Sequence, residues 1–133
     1  MEIPFVMARI LVIDDIPEIR ELLKDGLGNA GHEVITASEG GEAIRQFRDN
    51  PCDLVITDLI MPGKEGIETI REFRQIDPGI KIIAISGGSS MAADNYLVLA
   101  KKLGADLTVQ KPFSVRDMIS RIEDLLGIAD ADA

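Results

Sequence analysis

The chain has 133 residues, enough for one domain with a single hydrophobic core. Its composition, 46% hydrophobic and 28% charged, is that of an ordinary globular protein. A net charge of −9 argues against direct nucleic-acid binding, which needs stripes of Lys and Arg, and suits a site that gathers carboxylates around a cation.

A lead at residues 1–7 precedes the first element, the domain is expected over residues 8–127, and an acidic tail at 128–133 is expected to fray. Arg9-Ile10-Leu11-Val12-Ile13 reads as a buried strand that ends in the acidic pair Asp14-Asp15. Pro17 and Glu18 open a helix with Asp15 or Ile16 at its N-cap. Ile19, Leu22, Leu23 and Leu27 form its apolar stripe, and Gly31 stops it after Ala30. Glu33 to Ala37 is a second strand, and Ser38-Glu39-Gly40-Gly41 leads into a helix carrying Ala43, Ile44 and Phe47 that ends before Pro51. Leu54 to Thr57 is a third strand, β-branched, fully apolar up to Thr57 and closed by Asp58. Gly66 begins a helix through Ile67, Ile70 and Phe73, closed by Asp77-Pro78-Gly79. Lys81 to Ser86 is a fourth strand, followed by the loop Gly87-Gly88-Ser89-Ser90 and a fourth helix from about Met91 to Leu103. Leu107 to Gln110 is a short fifth strand, and Ser114 with Asp117 resembles a capping box for the last helix, whose stripe is Val115, Met118, Ile119, Ile122 and Leu126.

Five strands alternating with five helices predict an α/β fold, a doubly wound parallel sheet with helices on both faces. The single cysteine, Cys52, excludes an intramolecular disulfide, fits a reducing compartment and reads as a small residue packed near a strand. No apolar run approaches the ~18 residues of a membrane span, and the amino terminus lacks the basic region of a secretory signal. A cytoplasmic location without membrane contact is therefore expected.

In a parallel sheet all strands end at one rim, and four of these five end in something polar. Strand one delivers Asp14 and Asp15, strand three Asp58, strand four Ser86 and strand five Lys111. Carboxylates gathered there would repel one another unless a cation sits among them. Oxygen-only ligands at a solvent-reachable rim suit a hard ion such as Mg2+. A carboxylate nucleophile, a metal, a lysine and a hydroxyl together make a phosphoryl-transfer kit.

Val12-Ile13-Asp14-Asp15, Asp58 with Met61-Pro62-Gly63 and Gly66, Ser86 followed by Gly87, and Lys111-Pro112-Phe113 resemble, in that order, the receiver domain of two-component response regulators. The resemblance covers about residues 8–127. It implies a flavodoxin-like strand order 2-1-3-4-5, Asp58 as phospho-acceptor, and Mg2+ or Mn2+ held by Asp15 directly, by Asp14 largely through water, by Asp58 and by the main-chain carbonyl of Ile60. It further implies that Ser86 hydrogen-bonds the phosphoryl group, that Lys111 pairs with it, and that the Lys111–Pro112 peptide is cis. The implied donor is a histidine kinase or a histidine-containing phosphotransfer protein. Output would pass to a downstream protein through the surface of helix four, strand five and helix five, as in a stand-alone receiver.

Two departures stand out. Thr108 occupies the position three before the lysine where the family usually has Tyr or Phe, so an aromatic switch is missing and helix four with its preceding loop is expected to carry more of the change. Ile60 and Gly88 border the phosphoryl position; the apolar Ile60 should discourage attacking water, so slow self-dephosphorylation is expected.

Rival readings meet specific obstacles. A small phosphatase with an aspartyl nucleophile needs a second acid two residues after it, where Ile60 stands. A flavin or phosphate module could use Gly87-Gly88-Ser89-Ser90, but Asp-Asp-Ile-Pro after the first strand is no dinucleotide fingerprint. Asp14-Asp15 alone could be a helix cap. His32, the lone histidine, reads as an exposed turn residue. Helix four is apolar around much of its circumference, which suits a docking face for a partner or for a second copy of the chain in a homodimer.

Overall fold

Side chains alternate across each inner strand, and that alternation divides the core in two. The computed structural model of the chain describes residues 8–59, 66–87 and 98–127. The expectations on the lead at 1–7, on Ile60 to Gly63, on Gly88 to Ser90, on the start of helix four at Met91 and on the tail at 128–133 lie outside these residues. The elements are β1 (Arg9–Ile13), α1 (Pro17–Asn29), β2 (Glu33–Ala37), α2 (Gly40–Asp49), β3 (Leu54–Asp58), α3 (Gly66–Ile76), β4 (Lys81–Ser86), α4 (helical residues 98–103), β5 (Leu107–Gln110) and α5 (Val115–Leu126). All pairings are parallel and the strand order is β2-β1-β3-β4-β5, the flavodoxin-like order that the resemblance implies.

Leu11, Ile13, Val55, Ile82 and Ala84 meet Ala43, Ile44 and Phe47 of α2, Ile70 and Phe73 of α3 and Ala100 of α4 on one face. Ile10, Val12, Leu54, Ile56, Ile83 and Ile85 meet Leu23 and Leu27 of α1 and Met118 and Ile122 of α5 on the other. Burial of each such Leu, Ile or Phe stabilises by about 1.5–3 kcal/mol relative to leaving it exposed. Phe47 and Phe73 meet edge to face at 5.1 Å between ring centres and tie α2 to α3. Among the described residues no helix is long and apolar enough to cross a membrane.

The helix ends follow the sequence closely. Ile16 is the N-cap of α1 and has no side-chain cap bond; Asp14 Oδ1 instead accepts the Ile16 N–H at 2.9 Å. Ser114 caps α5 by accepting the Asp117 N–H at 3.1 Å. Gly31 leaves α1 at φ 99°, a left-handed conformation that favours glycine. The Lys111–Pro112 peptide is cis.

Two readings are corrected. Leu22 is not part of the α1 stripe: it is 47% exposed, because it lies about 100° round the helix from Leu23, on the flank of the line through Ile19, Leu23 and Leu27. His32 is buried, not exposed. The turn at Gly31 tucks it against the start of β1, where its Nδ1 accepts the Ala8 N–H at 3.3 Å. Burial lowers its pKa from the ordinary 6.5, against an opposing pull from Glu123. The unfolded chain therefore binds a proton more readily, and the stability that neutral His32 contributes is present above pH 6.5 and lost as pH falls through the lowered folded value. Denaturant melts of the wild type should show stability falling from pH 7 to pH 5, and His32→Gln, whose side-chain oxygen also accepts, should flatten that slope. An equal slope in the variant would assign the loss to other groups.

Candidate functional site

The strand register brings the polar residues together. Ile13 pairs with Thr57, so Asp14 and Asp58 each stand one residue beyond a matched pair at the C-terminal rim. Asp58 pairs with Ile85, and Ser86 pairs with Gln110, so Ser86 and Lys111 follow in the next two strands. Strand order reverses direction between β1 and β3, with β2 on the far side of β1. In open α/β sheets ligands bind in the crevice at that switch point.

Carboxylate oxygens of Asp14, Asp15 and Asp58 lie within 4.8 Å of one another; Asp14 and Asp58 are buried and Asp15 is exposed. Lys111 bridges the two buried ones, its Nζ donating to Asp14 Oδ2 at 3.2 Å and to Asp58 Oδ2 at 3.3 Å. Its own backbone N–H donates to the Ser86 carbonyl at 2.8 Å, which fixes where the side chain starts. Burial alone would lower the Lys111 pKa, but the charges of Asp58 and Asp14 outweigh it and hold the pKa above 10.5. The ammonium is therefore positive across the neutral range.

Three carboxylates against one ammonium leave a negative excess in a partly desolvated place. A hard divalent cation fits that donor set, with Asp15 supplying the face open to water. Ser86 Oγ adds a second sign of a ligand: it is fully buried and has no hydrogen-bond partner among the described residues. A buried hydroxyl without a partner is costly unless a bound oxygen completes it. The rim thus gathers three carboxylates and an ammonium, with a hydroxyl on the adjoining strand end, groups of the kind that phosphoryl transfer uses.

The structure brings together Asp14, Asp15, Asp58 and Lys111, and places Ser86 on the adjoining strand end; Ile60 lies outside the described residues. The local backbone around Asp58 is tightly tied. Thr57 Oγ1 donates to the Asp58 carbonyl at 2.9 Å, Leu59 N–H to the Ile85 carbonyl at 2.9 Å, and Gly66 N–H to the Leu59 carbonyl at 3.1 Å. Sequence reading missed one contact altogether: Arg20 Nη1 donates to the Asp14 main-chain carbonyl at 2.7 Å. An arginine one turn into the helix that follows an acidic pair is the signal that could have found it. Cys52 takes no part; it packs half-buried beside the core, and burial pushes its thiol up to about 12.

The response regulator receiver domain profile matches residues 10–123, most of the chain. The chain belongs to the response regulator receiver family. The receiver protein CpdR of Brucella abortus (strain 2308) is 32% identical over 120 residues, which cover 90% of this chain and 98% of CpdR. The transcriptional regulatory protein CpxR of Klebsiella pneumoniae is 37% identical over 120 residues, and the chain spans about half of its length. A CheY-like receiver domain from Methanospirillum hungatei JF-1, solved by crystallography, superposes with a TM-score of 0.84 at 30% identity and covers 92% of this chain and 95% of that one. This receiver is thus a signalling domain of two-component systems, outside the classical enzyme families. Its acidic rim is a cluster that could hold a metal ion.

Proposed function

We propose that this receiver takes a phosphoryl group onto Asp58 from a phosphohistidine, carried by a histidine kinase or a histidine-containing phosphotransfer protein. An Asp58 carboxylate oxygen attacks phosphorus in line; the phosphorus–nitrogen bond breaks and its electron pair leaves on the donor imidazole. The observation that carries this reading is the position of the Lys111 Nζ, 3.2 and 3.3 Å from two of three carboxylates that converge at the switch point. Lys111 would balance charge on the phosphoryl oxygens, and Ser86 Oγ, without a partner among the described residues, would donate to one of them. Asp14, Asp15 and Asp58 would hold Mg2+ or Mn2+, with the Ile60 carbonyl, outside the described residues, as the further ligand. Mg2+ when bound supplies neutralisation of the carboxylates and of the incoming phosphate. The chain would catalyse its own phosphorylation and dephosphorylation and nothing else.

Output would pass through the face of α4, β5 and α5. Val98 and Leu99 of α4 are 57% and 43% exposed while Ala100 beside them is fully buried, so the helix offers an apolar outer face along with its core stripe. Thr108, half-buried on β5, supports a switch that works without an aromatic ring at that position.

Incubation with acetyl phosphate and Mg2+ should add one phosphoryl group by intact mass, and Asp58→Asn should abolish the adduct. An adduct of equal yield in Asp58→Asn would remove Asp58 from the role.

A further inference from the structure

All four polar groups of Asp14 are engaged. Its N–H donates to the Ala37 carbonyl at 3.2 Å, its Oδ1 accepts the Ile16 N–H at 2.9 Å, and its Oδ2 accepts Lys111 Nζ at 3.2 Å. Its carbonyl accepts Nη1 of Arg20 at 2.7 Å, the shortest of the four. That carbonyl belongs to the peptide joining Asp14 to Asp15. A peptide is planar, so whatever fixes its oxygen also fixes the direction in which Asp15 leaves.

Asp15 has need of such a constraint. It is exposed, so packing does not place its carboxylate, and the N-cap of α1 that follows has no side-chain cap bond. Arg20 grips this turn twice: its backbone N–H donates to the Ile16 carbonyl at 3.2 Å, and its guanidinium reaches back over the turn to Asp14. Resting on the reading above of the acidic rim as a Mg2+ site, we infer that Arg20 is a positioning residue for the divalent cation. It locks the Asp14–Asp15 peptide so that the Asp15 carboxylate stays within reach of Asp14 and Asp58. The Arg20 charge itself opposes a cation nearby, but it is half-exposed and therefore screened. The loss of an outer partner that orients metal ligands costs about 10–100-fold in affinity. The orienting effect therefore prevails.

Calorimetric titration with Mg2+ alone should give Arg20→Met a dissociation constant about tenfold above the wild type. Arg20→Lys, which keeps a charged donor on a long stem, should recover part of the affinity. With acetyl phosphate, Arg20→Met should need about tenfold more Mg2+ for half its maximal rate yet reach the wild-type maximum. A general loss of fold would not give that split. Arg20→Gln, too short to reach the carbonyl, carries the same test if the Met variant does not fold. Unchanged or tighter Mg2+ binding, or a maximal rate that excess Mg2+ leaves low, would overturn the inference. Failure of the underlying reading looks different: the wild type then gains no phosphoryl group on Asp58.

Discussion

Lys111→Met is expected to slow phosphorylation by acetyl phosphate about 10²–10³-fold, the usual cost of removing one preorganised charge at a site of developing negative charge. The geometry gives the reason. Lys111 is the cation shared by Asp14 and Asp58, whose side chains are only 2% and 7% exposed. Without it, both carboxylates remain buried beside each other, and stability should fall by about 3–5 kcal/mol when no divalent ion is present. The two losses separate on adding Mg2+: melting temperature should recover, because the ion relieves the repulsion, while the rate should stay low. A rate restored together with the melting temperature would reduce Lys111 to a structural counter-charge. The pH dependence has a defined sign. Because the Lys111 pKa is raised above 10.5, its pairing contributes fully below pH 10.5 and is lost only as pH rises through the folded value. The wild-type rate should therefore show no lysine titration between pH 7 and 9.

The polar rim was legible in the chain because of one geometric fact: parallel strands in register end together. Once the five apolar runs were read as strands, Asp14, Asp58, Ser86 and Lys111 had to arrive at the same edge, whichever helices covered the faces. Strand bounds were equally legible, since Gly, Pro and charged residues punctuate each run. What escaped depended on packing between segments far apart in sequence. Nothing near His32 announces that Ala8 will offer it an N–H across 24 residues, so a polar residue after glycine read as exposed. Leu22 read as core because its type fits a stripe, whereas its angle about the helix does not. Arg20 meets a backbone carbonyl, which has no residue type of its own, so only its place one turn into the helix after the acidic pair marks the contact.

Gly66 was legible as a helix start but not as a contact, and its replacement should disturb the backbone at the end of β3. A Cβ built there would meet the Asp58 carbonyl oxygen at 2.1 Å and the Leu59 Cα at 2.6 Å. Both are backbone atoms, so no side-chain rotation can make room. In Gly66→Ala, α3 must move away from the end of β3 or the Asp58–Leu59 peptide must shift. Alanine gains about 1 kcal/mol of helix propensity. Overpacking against an immobile neighbour costs about 3 kcal/mol or more. A net loss of about 2–3 kcal/mol should lower the melting temperature by about 10 °C. Gly28→Ala is the control: a Cβ there meets nothing within 4 Å, so it should stabilise by about 0.5–1 kcal/mol. The site should feel the same push. The Asp58 carbonyl is held by Thr57 Oγ1, and Leu59 is tied to Ile85 and Gly66, so movement there re-aims the Asp58 carboxylate. Folded Gly66→Ala should phosphorylate about tenfold more slowly or worse, since misplacement by ~1 Å can cost 10²-fold. A wild-type melting temperature would mean that α3 sits farther from the strand than this contact implies. A lowered one with an unchanged rate would mean that the helix gives way and the strand end holds.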